Sequence, residues 1–272
     1  MFQRYWTSGV IFLWACYTLL MGYFILQPLF NLPFSPFLLS FTTLFCFFFS
    51  LGHAMWSLGG RQAGWFLLIT FAISLLFESV GVLTGWVYGP YHYTDRLGYK
   101  IFGLVPFLIP IAWFMMIYPA YVLVKQLVGT EHKSLRALIW LSALSALAMT
   151  AWDVVMDPIM VAAKHWVWEV DGAFFGIPVH NYVGWLATTF TVYLLYALLE
   201  RRLAPQPWGE STPFFRSLPF LVYAITWLGN VAVAKQINLT GPALAGFFAM
   251  GSFALLGLGK IFEKKMISDP QT

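Results

Sequence analysis

The stretch LRALIWLSALSALAMTAWDVVMDPIM, residues 135–160, decides how the chain is read. From Ala137 to Trp152 it carries no charge. With its flanks it reaches the length of about 20 mostly apolar residues that a helix needs to cross a bilayer core. Two aspartates four positions apart, Asp153 and Asp157, then close the run. An ionised carboxylate buried in hydrocarbon costs at least about 2.5 kcal/mol. Such a residue faces a cavity, is paired, or takes part in chemistry. At a spacing of four the two carboxylates share one helix face, and Pro158 disfavours helical geometry at the residue before it. A span over about 135–157 therefore ends at Asp157, with Asp153 one turn deeper.

The rest of the chain has the same texture. Its 272 residues are 60% hydrophobic and 19% aromatic but only 10% charged, against roughly 25% charged in a soluble domain. That leaves too little polar surface to coat a water-soluble particle. Windows of spanning length fall at about 6–26, 36–57, 63–84, 104–125, 135–157, 181–200, 215–234 and 241–260. The expectation is an all-α polytopic protein of about eight transmembrane helices, one helical domain over 1–272. The first apolar run has no small-residue cleavage site at its end and reads as a retained helix. Cys16 and Cys46 lie in apolar runs without CxxC or Cys/His spacing, which predicts neither a disulfide framework nor a metal site. The net charge is +4, with basic residues scattered at span ends, so nucleic acid is not an expected partner.

Those basic residues set an orientation. With both termini inside, the inner segments hold Arg4, Arg61, Lys125, Lys133, Arg136, Arg201, Arg202, Arg216, Lys260, Lys264 and Lys265. The outer segments hold Arg96, Lys100, Lys164 and Lys235. The bias predicts cytoplasmic termini for a multi-pass protein of the cell (inner) membrane. The longest outer connections, 85–103 and 158–180, are rich in Gly, Pro and aromatics. This composition predicts structured caps over the helix ends, because rings suit the interface and Gly and Pro set defined turns.

Glu131, Glu200, Glu210, Glu263 and Asp269 are expected to be solvated on the inner side. Glu78, Asp95, Asp153, Asp157, Glu169 and Asp171 all belong to the outer half. Glu78, Asp153 and Asp157 are the candidates for chemistry, since no lysine or arginine lies inside a span at their depth. Tyr88, Tyr91, His92 and Tyr93 in the first cap, His165 in the second, and His180 and Asn181 at the sixth span supply groups able to orient substrate or water. His53 reads as structural. Trp86, Trp113, Trp152, Trp166, Trp168 and Trp185 suit either an interfacial belt or a hydrophobic site whose rings face a positive charge.

Three blocks in order, FESVGVLTGWVYGPYHYTDRLGYKIFGLVPFLIPIAWFMMIY (77–118), WDVVMDPIM (152–160) and WVWEVDGAFFGIPVHNYVGW (166–185), resemble the membrane-integral carotenoid biosynthesis family. That family includes carotenoid 1,2-hydratases of the C-1′-hydroxylase and bacterioruberin-pathway kinds. The resemblance implies a hydro-lyase that adds water to the terminal C1=C2 double bond of an acyclic, lycopene- or γ-carotene-like carotenoid in the bilayer. The product is a tertiary 1-hydroxy group, and no cofactor is implied. No residue role is carried over from the family. The chemistry itself requires an acid for C2, a pocket that tolerates a tertiary cation at C1, and a positioned water. Neighbouring carboxyls in an apolar setting can share one proton. Asp153 is expected to give the proton, and Asp157 or Glu78 to hold or deprotonate the water. Trp152, Tyr91 and Trp185 are expected to face the cation, and Asn181 and His92 to orient water or carboxyls. Rival readings from the same residues are a prenyltransferase, a carotenoid cyclase and, outside enzymes, a proton-coupled transporter.

Overall fold

The computed structural model describes residues 2–27, 29–33, 36–129, 134–204 and 206–268. Glu131, Lys133 and Asp269 lie outside them. Among the described residues, eight helices are long and apolar enough to cross a membrane. They are α1 (Phe2–Leu26), α2 (Pro36–Leu58), α3 (Gly60–Thr84), α4 (Leu108–Val128), α5 (Leu135–Ala162), α6 (Val179–Arg202), α7 (Pro213–Gln236) and α8 (Thr240–Ser268). Four short strands lie between them: β1 (Tyr91–Tyr93), β2 (Lys100–Ile101), β3 (Val105–Pro106) and β4 (Trp166–Trp168).

Large aliphatic side chains face outward along the helices, and a set of hydroxyl side chains is buried within a mostly apolar and aromatic core. Leu19, Leu76, Leu83, Leu244 and Leu256 are exposed along the helices, while Ser50, Thr70, Ser74, Ser142, Ser145, Thr188, Thr189 and Thr226 are buried between them. Small hydroxyl side chains let helix backbones approach closely and hydrogen-bond without a competing hydrophobic drive. Ser50 Oγ donates to the Met115 carbonyl at 2.8 Å, tying α2 to α4. His53 is buried between Tyr118 Oη (2.6 Å) and the Phe215 carbonyl (2.9 Å), a structural placement as expected.

The helices alternate in direction. Gln3 reaches the Trp208 carbonyl, Trp56 reaches Ser211, and Gln62 reaches the Leu203 carbonyl, gathering one set of ends on one side. Gln236 binds the Ile25 carbonyl on the opposite side, where both caps also lie. The caps form a joint structure. β1 pairs antiparallel with β4 in the register Tyr91–Trp168, His92–Val167 and Tyr93–Trp166, and β2 pairs with β3. Thr94 donates to the Lys164 and His165 carbonyls, and Arg96 Nη1 to the Ala163 carbonyl at 2.9 Å. The first cap is wedged into the bundle by Tyr88, whose ring lies against Gly81 of α3 and Gly184 of α6 and whose hydroxyl meets Thr188 at 2.8 Å. A Cβ on Gly184 would run into the Val87 carbonyl, so only glycine admits the cap backbone there.

Three expectations are corrected. α5 does not end at Asp157: Pro158 lies inside it and the helix continues to Ala162. Proline removes one backbone donor, and spanning helices tolerate that where neighbouring packing holds the turn; here Val155 and Ile159 are buried on either side. The second cap consequently starts five residues later than the predicted 158. Glu200 is not solvated. α6 runs to Arg202, so Glu200 faces α4 and accepts from Tyr121 Oη and Lys125 Nζ, both at 2.6 Å.

Candidate active site

Beneath the joined caps lies a cavity of about 100 Å³, walled by side chains of α2, α3, α4, α5, α6 and both caps. Its polar groups are Glu78, Asp157, Asn181, Thr43 and the hydroxyls and indoles of Tyr88, Tyr91, Tyr93, Trp113, Trp152, Trp166, Trp168 and Trp185. Among the described residues, no lysine or arginine lines it. The half-buried parts of the wall come from the cap-side halves of α2, α4 and α5 (Leu39, Leu108, Ala112, Met115 and Met160) and from both caps (Leu97, Trp166 and Trp168). The wall is therefore not fully enclosed near Leu39 and Leu108, at the cap-side ends of α2 and α4.

Two carboxylate stations face this space. Glu78, 5% exposed, sits about two turns before the end of α3. Its Oε2 accepts the hydroxyls of Tyr91 (2.5 Å) and Tyr93 (2.8 Å), and its Oε1 accepts the Trp113 indole N–H at 3.0 Å. Burial, reinforced by the Glu78 charge, pushes both phenols well above the ordinary tyrosine range, so they remain donors. The second station is Asp157, fully buried, whose Oδ1 accepts the Trp166 indole N–H at 2.5 Å. Asp153 lies one turn earlier on α5. The Asn181 amide Nδ2 donates to both, at 2.8 Å to Asp153 Oδ2 and 3.1 Å to Asp157 Oδ2. Asn181 can do this because it stands in the first turn of α6, directly against α5.

Asp153 is fully buried but does not line the cavity; its Oδ1 has no partner among the described residues. The indole N–H of Trp152, which does line it, is also without a partner there. Buried donors left unpaired in this way are costly unless a ligand or water meets them. The aromatic wall is ordered. Trp113 and Trp185 stack with ring centroids 4.2 Å apart and planes 28° apart, and Trp152 meets Trp185 edge-on at 5.9 Å. No group of three His, Cys, Asp or Glu suited to a metal ion occurs among the described residues.

Of the expected site residues, Glu78, Asp157, Tyr91, Asn181, Trp152 and Trp185 share the cavity wall, and Asp153 backs it through Asn181. His92 does not join them. On β1 it points away from Tyr91 and Tyr93, stands exposed, and meets Glu169 at 3.2 Å. Trp86 is 81% exposed, a surface residue of the cap. His165 is buried with neither ring nitrogen paired among the described residues, and it is not part of the cavity wall. Sequence reading did not single out Tyr93 and Trp113 as holders of Glu78, or Trp166 as the partner of Asp157. The signal was present in YHY and WVW: alternation with a period of two puts both outer residues of each triplet on one strand face.

Residues 34–253 match the family described as carotenoid biosynthesis protein. The chain is also similar to a bisanhydrobacterioruberin hydratase of Haloarcula japonica, 36% identical over 217 residues that cover 73% of this chain and 72% of the relative. No solved structure matches it.

Proposed function

The chain belongs to the carotenoid biosynthesis protein family, and from that membership we propose that it hydrates the ψ-end of an acyclic carotenoid. Water adds across the terminal C1=C2 double bond to give a tertiary 1-hydroxy group. The name of the Haloarcula relative supports a hydratase. The observation that carries the reading to this cavity is the cation-free aromatic wall with Asp157, backed by Asp153, at one station and the hydrogen-bonded Glu78 at the other.

The steps follow from that wall. Asp157 meets the chain end and transfers a proton to C2; the π pair becomes the new C2–H bond and C1 becomes a tertiary cation. The faces of Trp113, Trp185 and Trp152 and the fixed Glu78 carboxylate stabilise the positive charge. A water bonds to C1 through an oxygen lone pair, and the proton it releases returns to the aspartate pair. Asn181 holds both carboxyls in place while the proton leaves and comes back. The net change is one water added, and the acid is regenerated.

The cavity holds a chain end only. The polyene extends through the less enclosed side near Leu39 and Leu108 into the bilayer, so the substrate is taken from lipid. Prenyl transfer is disfavoured because a diphosphate would find no lysine or arginine on this wall. The test is expression of this single gene in a lycopene-producing host. The expected product carries one added water per reacted end. A product of unchanged mass would assign ring closure instead, and a requirement for a prenyl diphosphate would assign prenyl transfer.

A further inference from the structure

The opposite end of the bundle carries a second, larger recess with a different chemistry. A groove of about 1020 Å³ runs between the ends of α4 and α6 and the start of α5. Three arginines border it, Arg136 on α5 and Arg201 and Arg202 on α6. All three are exposed, and none forms an ion pair among the described residues. The carboxylate beside them, Glu200, is already occupied by Tyr121 and Lys125. Below this basic rim the wall turns apolar, with Leu138, Leu141 and Leu144 on successive turns of α5 and Trp140 exposed beside them.

We propose that this groove binds one anionic phospholipid of the leaflet on the side away from the caps. The phosphate is held by the Arg136, Arg201 and Arg202 guanidinium groups and an acyl chain lies along the leucine face. Arginine suits the head because its planar fork donates to two phosphate oxygens together. Basic pockets between helix ends recur where anionic headgroups bind. A free phosphate would use only the rim and leave the apolar wall unfilled, so the combination favours a lipid. The carotenoid, an uncharged hydrocarbon, has no use for the arginines.

The test uses the full chain, delipidated in detergent. Thermal unfolding is followed with added phosphatidylglycerol, phosphatidylcholine or inorganic phosphate. Phosphatidylglycerol is expected to raise the midpoint, and the other two to leave it near the detergent value. The Arg136→Gln/Arg201→Gln/Arg202→Gln variant is expected to bind phosphatidylglycerol on the order of 100-fold more weakly, at about fivefold per charge. Equal shifts with phosphatidylcholine would overturn the proposal, and so would an equal shift with inorganic phosphate or undiminished phosphatidylglycerol binding by the variant. Native mass spectrometry of the unaltered protein gives a check free of any folding defect in the variant. A retained phosphatidylglycerol adduct, displaced by excess anionic but not zwitterionic lipid, is expected; its absence overturns the proposal.

Discussion

Asp157 stands on the cavity wall and Asp153 one helical turn behind it, out of contact with the cavity, with the same amide bonded to both. The pair is therefore asymmetric towards anything that enters. Asp157→Asn is expected to lower turnover by about 10²–10⁴-fold, the range for loss of a general acid. Asp153→Asn is expected to cost less, roughly tenfold, because it changes the proton balance of the pair and not the contact with substrate. Hydroxylated product quantified from membranes at matched protein levels decides this. A larger loss from Asp153→Asn would make Asp153 the donor.

Asn181→Leu removes the amide and keeps the branched shape of the side chain. It leaves both carboxyls without their shared donor, and an unsatisfied buried group costs about 1–3 kcal/mol. A lower unfolding midpoint together with strongly reduced turnover is expected. Asn181→Gln, with a misplaced amide, is expected to recover midpoint more than turnover. Full activity in the leucine variant would remove the bridge from the mechanism.

Trp185→Leu separates the role of the ring from that of hydrophobic filling. A cation–π contact is worth about 0.5–2 kcal/mol, so turnover is expected to fall roughly 2–30-fold with little change in KM. Trp113→Phe is a poorer probe, since it also strips a hydrogen bond from Glu78. A change confined to KM would assign Trp185 to binding alone.

His165 offers a pH-dependent reading of cap stability. Burial, and secondarily the Arg96 charge, holds its ring below the usual histidine value. The folded state thus takes up the proton less readily than the unfolded chain. Stability from this residue is full above the unfolded value of about 6.5 and declines as pH falls towards the lower folded value. The unfolding midpoint is expected to drop between about pH 7.5 and about pH 5.5 more in the wild type than in His165→Gln. Parallel drops would show that other groups govern the acid limb.

The eight spans were legible because hydrocarbon imposes a length and a composition that no local detail can hide. The acid pair was legible from its spacing, and Asn181 from its place opening the next span. What local reading lost were the points settled by distant packing. Pro158 argues for a helix end, yet buried neighbours carry α5 past it. His92 is the most reactive side chain of its segment by type, yet pairing with β4 fixes a register that turns Tyr91 and Tyr93 inward and His92 out. Glu200 lies among basic residues in the sequence, but its partners are Tyr121 and Lys125 on another helix.

The β1–β4 ribbon carries a consequence for how such proteins diverge. Its inward face offers Tyr91 and Tyr93 to Glu78 from one strand and Trp166 to Asp157 from the other. A slip of one residue would exchange inner and outer faces along that strand and unseat one station. The two segments, more than seventy positions apart in sequence, thus have to fit each other as a unit. A chimera that exchanges one cap with a relative should fail where exchange of both together succeeds, and altered substrate preference should arise through paired changes across the ribbon.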